Sequence, residues 1–184
     1  MKTTKIFGLF LTMLLLFSAC QEKAVRYTQN SPEIDHLKAA IADYEAGNWE
    51  GYMSHYADTA KIYHNTESNP ISPKESADFF AERNSAYSSY GMVKDKGDSE
   101  MVVTDEGETW VNYWGLWNGT LAANNQTLEI PIHLTAQFVD GKIVKEYGYF
   151  DTAPIMTAMM EIEAAKKAAD TLSGENSFTP DTKK

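Results

Sequence analysis

The chain has 184 residues, 26 acidic against 16 basic, for a formal charge of −10. That balance excludes the basic stripe by which proteins grip nucleic acid, and it gives no electrostatic attraction to anionic lipid headgroups. The single cysteine rules out an intramolecular disulfide, so stability must come from packing, for which ten tyrosines, eight phenylalanines and four tryptophans supply large apolar surfaces.

The chain opens with MKTTKIFGLFLTMLLLFSAC. Lys2 and Lys5 form a short positive start, Ile6 to Phe17 an apolar run, and Ser18-Ala19 the small residues that precede a signal-peptidase cut. The run falls short of the roughly 20 apolar residues of a transmembrane helix. This segment resembles a bacterial lipoprotein signal, with Phe17 where that family has an aliphatic residue. The resemblance implies loss of residues 1–19, acylation of Cys20 by a palmitate-type chain, and a location in the cell envelope. Gln21 stands where an aspartate would retain some lipoproteins at the inner membrane, which favours the outer membrane. The mature chain would carry a charge of −12 after loss of Lys2 and Lys5. Its size is that of one domain. Residues 20–31 are polar and without periodicity, and read as a flexible tether.

The domain is expected over residues 32–165. Ser31-Pro32-Glu33 is a helix start, with Ile34, Leu37, Ile41 and Tyr44 at helical spacing and Gly47 as the stop. Asn48 caps a short second helix carrying Trp49, Tyr52, Met53 and Tyr56. A strand over Ala60 to His64 follows, then a capping box at Ser72-Pro73-Lys74-Glu75 that opens a third helix, running through Phe79, Phe80 and Arg83 toward Tyr87. From Met92 the period becomes 2, with turns at Asp105-Glu106-Gly107, Asn124-Asn125 and Asp140-Gly141. They divide four strands, near 93–104, 108–121, 127–139 and 142–151. A last helix carries Ile155, Met159, Ile162 and Ala165, and residues 166–184 read as a disordered tail. Helices that precede an antiparallel meander give an α+β class, with helices packed on one face of a curved sheet.

A two-residue turn at Asp140-Gly141 pairs Val139 with Lys142, Leu134 with Tyr147 and Ile132 with Tyr149. That register places Tyr147, Tyr149 and Asp151 on the inner face with Ile130, Ile132 and Leu134, and turns His133 outward. A tight turn at Asn124-Asn125 adds Trp117 and Tyr113 to the inner face and sends Trp110 and Trp114 outside.

Three pieces in order carry a family resemblance: the helix pair through Asn48-Trp49-Glu50-Gly51-Tyr52, the segment Tyr56 to His64, and the closing strand Asp140 to Asp151. Together they resemble the SnoaL-like branch of the nuclear transport factor 2-like superfamily, which includes the ketosteroid isomerases. The resemblance implies a cone, with a strongly bent antiparallel sheet wrapped around three N-terminal helices and an interior cavity. It also implies frequent homodimerisation through the outer sheet face. His64 stands where ketosteroid isomerases carry a carboxylate base, Asp151 where SnoaL-type cyclases carry an acid/base, and Tyr44 where the family has a tyrosine donor. Asp151 fits equally well as a cap for the last helix.

A cone does not fix a function. The leading expectation is a lipid-anchored domain binding a small apolar or aromatic molecule in a pocket of Tyr44, Tyr113, Trp117, Tyr147 and Tyr149, with His64 and Asp151 as its polar groups. A second is an isomerase, dehydratase or cyclase moving protons through Asp151 and His64 with no cofactor. The third is an interaction or dimerisation module working through Trp110, Trp114 and His133 on the outer face. No histidine spacing suits a metal, and neither a phosphate loop nor a GxSxG elbow is present.

Overall fold

The structure, a computed structural model, describes residues 26–175. The expected signal sequence, Cys20 and the residues after 175 lie outside the described region. Strand β1 (Tyr27–Thr28) comes first and pairs with a later strand through Tyr27 and Val102. The end of the expected tether is therefore structured. Val103 N donates to Arg26 O, and Arg26 meets Asp105 at 2.7 Å, so backbone pairing and charge hold it there.

Helix α1 (Pro32–Ala46) begins where Ser31 Oγ accepts from the Ile34 N–H and ends at Gly47, whose left-handed φ of 65° glycine adopts without a Cβ penalty. Asn48 Oδ1 accepts from Gly51 N to start α2 (Trp49–Ser54), which leads into β2 (Tyr56–His64). Helix α3 (Pro73–Asn84) opens with the expected Ser72–Glu75 capping box. It ends before Tyr87. The segment β3 (Tyr87–Met92) is a strand, not a continuation of that helix, because residues 87–92 pair along the end of a longer strand. Strands β4 (Asp98–Val103), β5 (Thr109–Leu121), β6 (Thr127–Val139) and β7 (Lys142–Phe150) complete the meander, and α4 (Ala153–Glu175) closes the described chain. Helix α4 continues well past residue 165, through alanine-rich sequence of high helix propensity. Among the described residues no helix is long and apolar enough to cross a membrane.

The sheet runs β1-β4-β5-β6-β7-β2, with β3 also on β5. Strand β5 is long enough to carry β4 along Thr109 to Trp114 and β3 along Trp117 to Leu121. The last pairing, β2 on β7, is parallel and sets His64 beside Gly148. Helices α1, α2 and α3 cover one face, where Ile34, Leu37, Tyr52, Ile62, Val111 and Ile143 form the main core. A second cluster, with Trp117, Leu121 and Ile130, lies under Ile155 and Ala158 of α4.

Two registers decide what faces inward. The turn after β5 is longer than two residues, with Leu121 N donating to Gln126 O, but the slip is even. Trp117 and Tyr113 stay inside, and Trp114 stays out at 44% exposure. At the other hairpin Val139 pairs with Lys142 as expected and Phe138 with Ile143, but Gln137 then pairs with Lys145, leaving Val144 as a bulge on β7. One extra residue reverses every side chain beyond it. Glu146, Gly148 and Phe150 turn inward. Tyr147 and Tyr149, expected inside, stand on the outer face opposite Thr135 and His133.

Candidate functional site

The cone holds a cavity of about 90 Å³ that opens to solvent at one side. Its walls are mostly apolar: Leu37, Ala40 and Ile41 of α1, Phe80 of α3, Ile130 and Ile132 of β6. The polar groups that reach it are few, which is the usual make-up of a small-molecule site.

The inward turn of β7 supplies the most consequential of them. Glu146 is buried at 4% exposure and lines the cavity. Its Oε2 accepts from Tyr56 Oη at 2.7 Å, Tyr56 Oη lies 3.1 Å from Tyr52 Oη, and Tyr52 Oη lies 3.1 Å from Ser76 Oγ. Burial raises the Glu146 carboxyl to about 7, against a smaller lowering by the Tyr56 hydrogen bond. Burial likewise holds the Tyr56 and Tyr52 phenols above their ordinary range. Both stay protonated, and each has one proton to give. An ionised Glu146 accepts the hydrogen bond of Tyr56. A protonated Glu146 frees Tyr56 to donate to Tyr52, so the row can reorient as the carboxyl gains or loses its proton.

His64 lies two positions further along the same inner wall, one strand over, at about 8 Å between Cα atoms by strand geometry. Its ring packs among Phe79, Phe80 and Phe150 at centroid distances of 5.7, 5.1 and 5.8 Å. Burial first, then the nearby Arg83 charge, lower its pKa to about 4. At neutral pH it is an uncharged imidazole, with one donor and one acceptor. Tyr44 receives a hydrogen bond from Trp117 Nε1 at 3.0 Å, and its phenol is pushed up to about 12, mainly by burial. Both line the cavity.

Of the expected site residues, the cavity thus gathers His64, Tyr44 and Trp117. Tyr113 is buried in the core but does not line it. Asp151 is exposed, and its Oδ1 accepts from Ala153 N at 2.8 Å, which fixes the start of α4. It does not share the cavity with His64, since the bulge ends the inward series at Phe150. Tyr147 and Tyr149 belong to an outer row of rings: Tyr63 on Tyr147 at 4.7 Å, Tyr147 on Tyr149 at 6.4 Å, Tyr149 on His133 at 6.2 Å, His133 on Trp114 at 5.1 Å. Sequence reading missed Glu146, because strict alternation from Ile143 places it outside. It also missed a second polar row, in which Asp43 Oδ2 meets His55 Nε2 at 2.8 Å and His55 Nδ1 meets His36 Nε2 at 3.2 Å, tying α1 to the end of α2. Among the described residues no cluster of histidine, cysteine and carboxylate side chains is arranged to hold a metal.

This architecture matches known structures closely enough to place the fold. A Jannaschia sp. CCS1 protein assigned as a SnoaL-like polyketide cyclase superposes with a TM-score of 0.57 at 12% identity, over 74% of this chain and 96% of that one. The chain has the SnoaL-like, nuclear transport factor 2-like fold. An NTF2-like protein of unknown function from Burkholderia pseudomallei K96243 gives 0.55 at 13% identity, covering 70% of this chain and 97% of that one. TerC, crystallised with polyporic acid, gives 0.52 at 17% identity, covering 72% and 99%. No protein-family model matches the sequence, and no curated protein resembles it at a significant level.

Proposed function

We propose that this SnoaL-like domain binds a small apolar or aromatic molecule inside the cone, and does so outside the cytoplasm, anchored by lipid on Cys20. The observation that carries the binding reading is an apolar, aromatic-walled cavity whose floor ends in a single buried carboxyl group, Glu146. The similarity to TerC, which was co-crystallised with polyporic acid, supports an aromatic ligand. The expected result is that 2-naphthol raises the melting temperature and binds with a Kd on the order of 0.1 mM, as about 0.5 kcal/mol per ligand atom gives. Ile132→Trp, which fills the wall, weakens that binding at least about tenfold by the same arithmetic. Absence of binding, or binding that Ile132→Trp leaves unchanged, contradicts the cavity reading.

The anchor is supported by the arrangement of Lys2, Lys5, the apolar run, Ser18-Ala19 and Cys20. Cells expressing the chain with labelled palmitate should label it, and Cys20→Ser should abolish the label and release the protein from the membrane fraction. An unlabelled wild-type chain rules the anchor out.

A second reading follows from the Glu146 environment. A carboxyl with a pKa of about 7 can take a proton from the carbon alpha to a ligand carbonyl through Oε1, to which no described residue donates, and return it elsewhere. This makes the domain an isomerase, dehydratase or cyclase in which Glu146 holds the acid/base role that the sequence suggested for Asp151. Under this reading Glu146 catalyses exchange of a bound ligand's alpha protons with solvent deuterium. Exchange unchanged by Glu146→Gln excludes it.

A further inference from the structure

The end of the cavity away from Glu146 carries a charge with no counterpart. Arg83 lines both the cavity and the adjoining recess of Asn65, Thr66, Asn69 and Thr152, and is the only lysine or arginine in either among the described residues. No carboxylate pairs with it among the described residues. Its guanidinium instead lies 5.7 Å from the Phe79 ring centre and 5.9 Å from that of Phe150. Beside it, Asn84 is 6% exposed and lines the cavity. Asn84 Nδ2 is next to the Tyr44 hydroxyl but has no hydrogen bond of normal geometry. A buried amide donor without a partner costs free energy unless a ligand satisfies it. A guanidinium presents a planar fork that fits a carboxylate in two-point contact, and here that fork is unused in a chain of charge −10.

We infer that the ligand is an amphiphilic acid, its apolar ring body in the cavity and its carboxylate at Arg83, with Asn84 Nδ2 donating to a ligand oxygen. This rests on the cavity reading above and adds the chemical class. Glu146 lies four residues from Phe150 on β7, about 13 Å along an extended strand, so the acid end and the ligand's carboxylate stay apart. The neutral His64 between them can donate to the ligand without adding charge.

Calorimetry with 2-naphthoate and its uncharged isostere 2-naphthamide, alongside 2-naphthol, tests it. The wild type should bind the acid roughly tenfold more tightly than the amide, the scale of a charge-assisted pair. Arg83→Met should erase that preference while holding the amide affinity within about threefold. Should Arg83→Met fail to fold, loss of the wild-type preference as salt rises gives the same readout. Equal binding of acid and amide by the wild type overturns the acid class and leaves the cavity reading standing. Failure of all three compounds to bind overturns both.

Discussion

Glu146→Gln should make the protein more stable than the wild type at pH 8 and not at pH 4.5. The carboxyl titrates near 7 in the folded state because burial disfavours its charge, against 4.5 when unperturbed. A carboxyl raised on folding costs nothing below its unfolded pKa, where both states hold the proton. As pH climbs from 4.5 to 7 the unfolded state ionises first, and stability falls until both states are ionised. About 2.5 units at 1.36 kcal/mol per unit make this roughly 3 kcal/mol, complete above pH 7. Glutamine keeps an acceptor for Tyr56 and has no charge to bury. Urea unfolding of the two proteins across this window should show the gap opening with pH, the His64 contribution being common to both. Parallel curves would falsify the assignment of Glu146 as a buried, late-titrating acid.

Gly119→Ala should destabilise the protein by about 1–3 kcal/mol, the usual range for an overpacked core. A Cβ at 119 would stand 2.3 Å from Cη2 of Trp117 and 2.9 Å from two further ring atoms. The indole lies along β5 over the glycine, 5% exposed, and donates to Tyr44. Gly119 is not among the positive-φ glycines, so its backbone suits alanine. In that circumstance Gly→Ala ordinarily stabilises by about 0.4–1 kcal/mol through the unfolded chain. The sign of the change therefore separates steric collision from backbone freedom. A lower urea midpoint with altered tryptophan fluorescence is expected, and an unchanged or higher midpoint contradicts the packing of Trp117.

Much of the cone was legible because its elements carry local signals. Ser31-Pro32, Gly47, Asn48 and the Ser72–Glu75 box mark three helices by capping chemistry that acts over three or four residues. Asp140-Gly141 marks its hairpin as clearly, with both residues at positive φ. The site was less legible. Which face β7 shows depends on one bulged residue, Val144, and neither Val144 nor its neighbours carry a glycine or proline to announce it. Tyrosine adds to the ambiguity, since it packs inside through its ring or stands in a cross-strand stack outside, as Tyr147 and Tyr149 do. The same slip hid Glu146 and made Asp151 look like a pocket group when it holds the start of α4. His64, Tyr44 and Trp117 do line the cavity, the last two for a physical reason: Tyr44 is fixed by helix period, and the β5 turn slipped by an even number of residues, which leaves Trp117 inside. Strand β3 was missed because its glycine and paired serines lack strand propensity, and its pairing with β5 decides its form.

The central claim is that Glu146 sits as a buried acid at the end of a ligand cavity. Carbon-13 NMR of protein labelled at glutamate Cδ, titrated from pH 3 to 9 with and without saturating 2-naphthol, measures it directly. One glutamate resonance should titrate near 7, vanish in Glu146→Gln, and move in midpoint when the ligand is bound. A protein whose glutamates all titrate between about 4 and 5, unaffected by ligand, contradicts the claim.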